Sequence, residues 1–404
     1  MRIKNKPLAT IFIIAFLNLI GFGIIIPLLP YYAETFGATP ADIGLLIASY
    51  AGAQFIGSPI WGRFSDRYGR RPALMISVGG ASLGYILFGL SNSLTFLFAS
   101  RIFAGFMGGN ISVAQAYIAD VTDEKGRAKG LGLVGAAFGL GFITGPAIGG
   151  FLSNWGYEIP AYFASLLDFS NLIAIYFWLP ESLTHEQMRD NHISGSPAFS
   201  IQELYRALTR PFVGALLNSL FIFSLAFAMF TTVFALFAQY RLNLDSQATG
   251  YILAYIGLLI VIVQGGIIGK LTAYFSEGFL LFWSTVLMAI ALLAWAFVGH
   301  VWTLLIVSIP LALASGVFRT VINSSLSKVV KKEEVGGTMG ISSSIDSLTR
   351  VIAPTAGGFI LGQFGSSAPG ILSAFLLILF IPYAWKKFIT NPHPALNSNL
   401  EEVS

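Results

Sequence analysis

The sequence predicts an all-α membrane protein with twelve transmembrane helices in two pseudo-symmetric six-helix bundles. Three observations predict it. Of the 404 residues, 55% are hydrophobic and 10% charged, and the mean hydropathy is +0.75. A soluble domain carries about 25% charged residues, and the solvent that suits so apolar a surface is lipid. The apolar residues also fall in continuous runs of about 20 or more, enough to cross hydrocarbon as helices, and unlike the alternating segments of a membrane barrel. Finally, one polar stretch near the middle leaves six such runs on each side.

The first run, 8–31, follows Arg2, Lys4 and Lys6 and closes with Pro27 and Pro30. It outlasts the roughly 7–15-residue core of a signal peptide and reads as a retained span. The second and third, 43–62 and 73–91, flank the charged link "GRFSDRYGRR" (62–71). The fourth, 94–118, carries Arg101. The fifth, 128–152, is glycine-rich, and the sixth, 160–180, carries Asp168. The polar stretch 181–211 follows. The seventh to ninth runs, 212–239, 247–268 and 278–299, carry no charge, and Asn218 is a polar group on the seventh. The tenth, 301–326, aligns Ser315, Arg319 and Asn323 on one face. The eleventh, 335–361, holds Asp346 and Arg350 four residues apart, and 367–386 completes the set. The expected organisation is an N-terminal bundle over 1–180, a cytoplasmic loop over 181–211, and a C-terminal bundle with a short tail over 212–404.

Basic residues set the orientation. With the N-terminus in the cytoplasm, Arg63, Arg67, Arg70, Arg71, Lys125, Arg127, Lys129, Arg189, Arg206, Arg210, Lys270, Lys328, Lys331, Lys332, Lys386 and Lys387 all fall on the cytoplasmic side, and Arg241 alone lies outside. Both termini are then cytoplasmic, in the cell membrane. The net charge of +4 is used on topology, which argues against a nucleic-acid partner. The halves also echo one another: "GLGFITGPAIGG" (139–150) and "SLTRVIAPTAGG" (347–358) share a proline and a final Gly-Gly at an offset of 208. A parallel repeat of two six-helix halves is a transporter architecture.

Enzyme chemistry has little to stand on. Cysteine is absent and the four histidines form no ligand cluster. "GLGLVG" (130–135) lies in a membrane run and does not follow a strand, so it is no phosphate loop. No metal or cofactor is expected. The expected partners are a small-molecule substrate, protons and the lipid bilayer, with the chain acting as a monomer.

The charged link asks for more than topology. Gly62 and Gly69 permit close approach and a tight turn, and Asp66 can pair with Arg67, Arg70 or Arg71, or sit against a helix N-terminus. Such a cluster can latch two helices in one state and release them in another. On the fifth run, Gly141, Gly145 and Gly149 share one face, which lets helix backbones meet closely in lipid. Pro146 bends the helix, Gly150 closes the stretch, and the eighth run carries Gly265, Gly266 and Gly269, which become the expected partners under the family resemblance given below. Charges inside spans are functional candidates by default. Arg101 lies about 10 Å into its helix, on a face shared with Gly105, Gly108, Ser112 and Gln115. Asp168 lies at similar depth and can pair with Arg101. Asp346 and Arg350 can touch.

Four stretches resemble signatures of the major facilitator superfamily. "GRFSDRYGRRPAL" resembles its helix 2–3 signature, and "LGYILFGL…FLFASRIFAGFMGG" places Arg101 and Gly105 as in its helix 4 signature. "GFITGPAIGG" resembles the helix 5 signature of drug–proton antiporters, and "LIGFGIIIPLLP" the helix 1 signature of twelve-helix drug exporters. "AYIADVTDEKGRAKGLG" and "LPES" are most similar to the tetracycline exporters.

The resemblance implies a proton-driven exporter of small amphipathic organic compounds. It makes the link a gate, the glycine face a helix 5–helix 8 seam, and Arg101 a proton-coupling group facing the central cavity, where helix 10 with Arg319 and Asn323 also lies. Where tetracycline exporters carry acids in helices 1, 3 and 9, this chain has Asn18, Gly84 and Met288. Asn18 can bind a ligand by hydrogen bonds but cannot carry a proton. Asp346 is then the first candidate for proton carrier, ahead of Asp168. Proton symport for uptake of a small nutrient on the same fold stands as the alternative.

Overall fold

The computed structural model describes residues 6–122, 124–184, 188, 206–331 and 334–396. Most of the expected central loop, 185–187 and 189–205, and the tail 397–404 lie outside them. The described residues contain no strand. Twelve long helices appear where the apolar runs are: α1 Lys6–Ile25, α2 Pro40–Tyr68, α3 Arg70–Gly89, α4 Leu94–Val121, α5 Glu124–Leu152 and α6 Glu158–Trp178, then α7 Val213–Leu242, α8 Ser246–Tyr274, α9 Glu277–Ala296, α10 Val301–Val329, α11 Val335–Phe364 and α12 Ala368–Trp385. Among the described residues, ten helices are long and apolar enough to cross a membrane. In α11, 30 residues long, the serines at 342–344 and the charges of Asp346 and Arg350 lower the hydropathy.

Helix ends differ from the hydropathy boundaries. α1 stops at Ile25, and a turn through Pro27 leads to a short helix, Leu29–Glu34, with Pro30 in its first turn. Proline fits there because the first turn's N–H groups have no intrahelical acceptor. α2 continues past the apolar run to Tyr68, so most of the charged link is helical. α4 is interrupted by one 3₁₀ turn, Gly108–Asn110, and α8 by a π turn, Val263–Ile267. Large apolar side chains such as Phe177, Trp302 and Phe364 stay exposed, as on a helix that faces lipid.

The chain forms two compact units, Met1–Thr39 with Ser49–Ala198 and Leu244–Tyr255, and Pro40–Ala48 with Phe199–Asn243 and Ile256–Ser404. In the first, α1 packs on α5 and α6, and α3 on α4 and α6. Tyr117, Leu74 and Val78 are at its core with Trp61. In the second, α7 packs on α11 and α12, and α9 on α10 and α12, around a fully buried Trp295 whose ring meets Phe230 and Phe237 at 4.9 and 4.3 Å.

The internal echo has a geometric counterpart. In the first unit, a methyl on Gly250 would strike the Pro146 carbonyl and stand 3.0 Å from Gly150 Cα. In the second, a methyl on Gly44 would strike the Pro354 carbonyl and stand 3.1 Å from Gly358 Cα. The same proline and glycine of each repeat therefore receive the same kind of glycine.

Candidate functional site

At the basic end of the first unit, a single residue separates α2 from α3. Gly69 has φ of +102°, a conformation that side chains disfavour. Arg70 opens α3 with its guanidinium buried. It meets Asp66 at 2.6 Å, Asp120 of α4 at 3.0 Å and the Ser65 hydroxyl at 2.6 Å. The N-terminus of α3 is occupied by Glu181, whose carboxylate accepts from the backbone N–H of Arg70 and of Arg71 at 2.9 and 3.0 Å. Ser182 then donates to Asp120 at 2.9 Å. Of the two roles open to Asp66, the structure gives it the arginine; Glu181 of "LPES" takes the helix terminus. Arg71 donates to the Tyr176 carbonyl, and Arg67 lies over Tyr68. Gly62 differs from expectation. It sits within α2 with nothing within 4 Å of an added methyl, so no close approach depends on it.

The glycine face of α5 is a helix seam, but with a different partner. A methyl on Gly145 would stand 2.7 Å from Gly23 Cα, one on Gly141 would stand 2.8 Å from Leu19 Cβ, and one on Gly149 would strike the Ile24 carbonyl. The 141–145–149 face therefore serves α1. Contact with α8 is made by the neighbouring Pro146 and Gly150, against Gly250 and Gln247 near its start. Gly265, Gly266 and Gly269 have open space around them and are not the partners.

The charges within spans are also redistributed. Asp346 pairs with Arg319 of α10 at 2.5 Å, and Ser224 of α7 donates to it at 3.0 Å. The ion pair is thus made across helices, from α10 to α11. Asn218 and Asn323 remain half-buried and exposed on α7 and α10. Arg101 is buried and stacks on Tyr50 at 4.1 Å and Phe88 at 5.9 Å. Its helix face packs on α2, where a methyl on Gly105 would strike the Tyr50 carbonyl and Ser112 donates to the Ser58 carbonyl at 3.2 Å. Only Gln115 of that face is exposed. Arg101 does not pair with Asp168; the buried Tyr85 of α3 lies within electrostatic range of both. Asp168 is fully buried and neither carboxylate oxygen has a hydrogen bond of good geometry, with the Asn18 amide facing it.

One cluster was not expected from the sequence. Glu277, the first residue of α9, is 2% exposed and accepts from Ser324, Ser325 and Lys328 of α10 at 2.7, 2.7 and 2.8 Å. Its signal is present in the repeat. "GKLTAYFSEG" (269–278) echoes "GRFSDRYGRR", so that Glu277 follows Arg70 by 207 residues and Lys328 follows Asp120 by 208. The ion pair is kept and its polarity reversed. Nearby, Arg210 and Glu334 pair at 3.0 Å, and that hydrogen bond holds the Glu334 carboxyl below the usual carboxylate range.

Comparison with known proteins places these features. A family profile described as Major Facilitator Superfamily matches residues 11–299 and 265–403. The class H tetracycline resistance protein of Pasteurella multocida is 33% identical over 384 residues, covering 93% of this chain and 94% of the relative. Solute carrier family 22 member 18 of Rattus norvegicus is 28% identical over 382 residues, covering 93% and 92%. Among solved structures, a bacterial homologue of the human lysosomal transporter Spinster superposes with a TM-score of 0.77 at 14% identity, covering 96% of this chain and 98% of that one.

Proposed function

The chain belongs to the major facilitator superfamily, a family of transporters and not of enzymes, and we propose that it exports small amphipathic organic compounds in exchange for protons by alternating access. The observation that carries this reading is the seam of α5: the antiporter-type glycines lie directly on the backbone of α1, while Pro146 and Gly150 receive Gly250. The three glycines and Pro146 of that motif are spent on helix contact. The relative named for tetracycline resistance supports an organic substrate. The basic end, with the Arg70 cluster and both termini, faces the cytoplasm, the protein resides in the cell membrane as a monomer, and the proton gradient is the only energy source required.

A specific observation favours the second reading, proton symport. Asp346 is held by Arg319, and both are partly exposed. An anionic ligand that took Arg319 would free Asp346 to bind a proton, so ligand and proton would bind together rather than compete. Transport in proteoliposomes with an imposed pH gradient separates the two, using tetracycline and a panel of amphipathic cations and anions as probes. Accumulation opposite to proton flow supports export; accumulation with proton flow replaces it by symport.

A further inference from the structure

We propose that Asp168 is the group that carries the transported proton, reached through Asn18 from a small cavity between α1, α3 and α4. The inference rests on the proton-coupled reading and names the residue that performs the coupling.

The argument begins with what surrounds the carboxyl. Asp168 is at the middle of α6 with no exposure to solvent. Neither of its oxygens has a hydrogen bond of good geometry, and among the described residues its carboxylate takes part in none of the ion pairs. An ionised carboxylate in that position would be a buried charge with no cationic partner, which the low-dielectric surroundings disfavour. A proton on the acid removes that charge. Asp346 differs on each count: it has a guanidinium, a hydroxyl donor and partial exposure. Of the two aspartates within spans, Asp168 is the one whose surroundings are built for the neutral acid.

The groups facing it supply a path. From α1, Asn18 faces the carboxyl and also lines a cavity of about 20 Å³ together with Leu74, Val78, Asn110 and Ala114. That is room for about one water molecule. From α3, the buried Tyr85 lies within electrostatic range of Asp168 and of Arg101, and Arg101 of α4 stacks on Tyr50 of α2. One turn along α6, Asn171 donates to the Ile14 carbonyl at 3.0 Å and leaves its own oxygen unpartnered, which fixes α1 beside α6. The acid thus stands one amide away from a water-sized space.

The step balances simply. The Asp168 acid gives its proton to water that reaches Asn18, and the carboxylate left behind is faced by the Asn18 amide. After the change of access the carboxylate takes a proton from water on the opposite side, so each cycle moves one proton down its gradient, and water is the only other reactant.

The test uses full-length protein in two assays. Infrared difference spectroscopy of purified protein across a pH titration should show the carbonyl stretch of a protonated carboxylic acid, and that band should vanish in Asp168→Asn while persisting in Asp346→Asn. In proteoliposomes, Asp168→Asn should still exchange tetracycline, or whichever probe the wild type moves, down its own gradient. Its pH-driven accumulation should fall to the level of protein-free vesicles, and Asp168→Glu should restore part of it. Uphill accumulation by Asp168→Asn at the wild-type rate, or an unchanged infrared band in that variant, overturns the inference and leaves the exporter reading standing. A wild-type protein that moves its probe without regard to the pH gradient overturns both.

Discussion

The seam between α5 and α1 can be tested with a single methyl group. In Gly145→Ala the new Cβ would lie 2.7 Å from Gly23 Cα, 2.8 Å from the Gly23 carbonyl carbon and 2.9 Å from the Ile20 oxygen. Ordinary contact begins at 3.4 Å, so α1 must retreat by about 0.7 Å. All three atoms are backbone, and no flexible side chain can absorb the shift. Overpacking of this kind costs about 1–3 kcal/mol, against which the alanine recovers up to about 1 kcal/mol of helix propensity. A matched control is Gly269→Ala on α8, where nothing lies within 4 Å of the added methyl and only the propensity gain applies. Thermal unfolding of the purified variants should therefore place Gly145→Ala below Gly269→Ala by about 1–3 kcal/mol at a common temperature. Gly145→Leu, which adds three further carbons at the same point, should abolish coupled transport or open a proton leak in vesicles. The reasoning fails if Gly145→Ala unfolds together with Gly269→Ala, since the glycine face would then not carry α1.

Other outcomes follow from the basic end. Asp66→Asn removes one partner from Arg70 but leaves Asp120 in place; thermal stability should change by no more than about 1 kcal/mol, while transport in vesicles falls, and unchanged transport would reduce the cluster to a topology anchor. Lys328→Ala strands the buried Glu277 carboxylate with two serine hydroxyls, and its unfolding midpoint should drop by more than that of Asp66→Asn, approaching the 3–5 kcal/mol of a broken buried pair at about the upper limit. The double reversal Glu277→Lys with Lys328→Glu keeps a pair but opposes two helix dipoles, a loss of about 1–2 kcal/mol in the same measurement.

The spans were legible because a bilayer demands an apolar run of a set length, and hydropathy reads that directly. Helix ends were less so. α2 reaches Tyr68 because its polar last turns still satisfy their backbone bonds, which hydropathy does not register, and it stops where Gly69 turns the chain. Gly69 was visible as a turn, yet Gly62 in the same motif looked equivalent and is not. Partner choice was the least legible. Local spacing gave Asp346 to Arg350, and the fold gave it to Arg319, 27 residues away on another helix. Likewise the small face of α5 was plain in the sequence, but nothing local distinguishes α1 from α8 as its neighbour. Glu277 was passed over because its motif is a degraded copy that had lost the arginines and kept only the register.

That copy bears on how the two ion pairs are held. Helix N-termini favour negative charge and C-termini positive. Glu277 begins α9 and Lys328 lies one residue from the end of α10, so the second unit's pair agrees with both dipoles, with Glu277 buried and Lys328 partly exposed. Arg70 begins α3 and Asp120 lies one residue from the end of α4, so the first unit's pair opposes both. Its compensation comes from outside the pair: Asp66 from the preceding helix, and Glu181 from the start of the central segment, which covers the α3 terminus with two backbone hydrogen bonds. The Arg70 cluster thus draws on three separate segments, whereas every partner of Glu277 comes from the single helix α10. The two copies are therefore held in different ways, the pair at Glu277 within the contact of α9 with α10 and the Arg70 cluster by charges from α2, α4 and the start of the central segment.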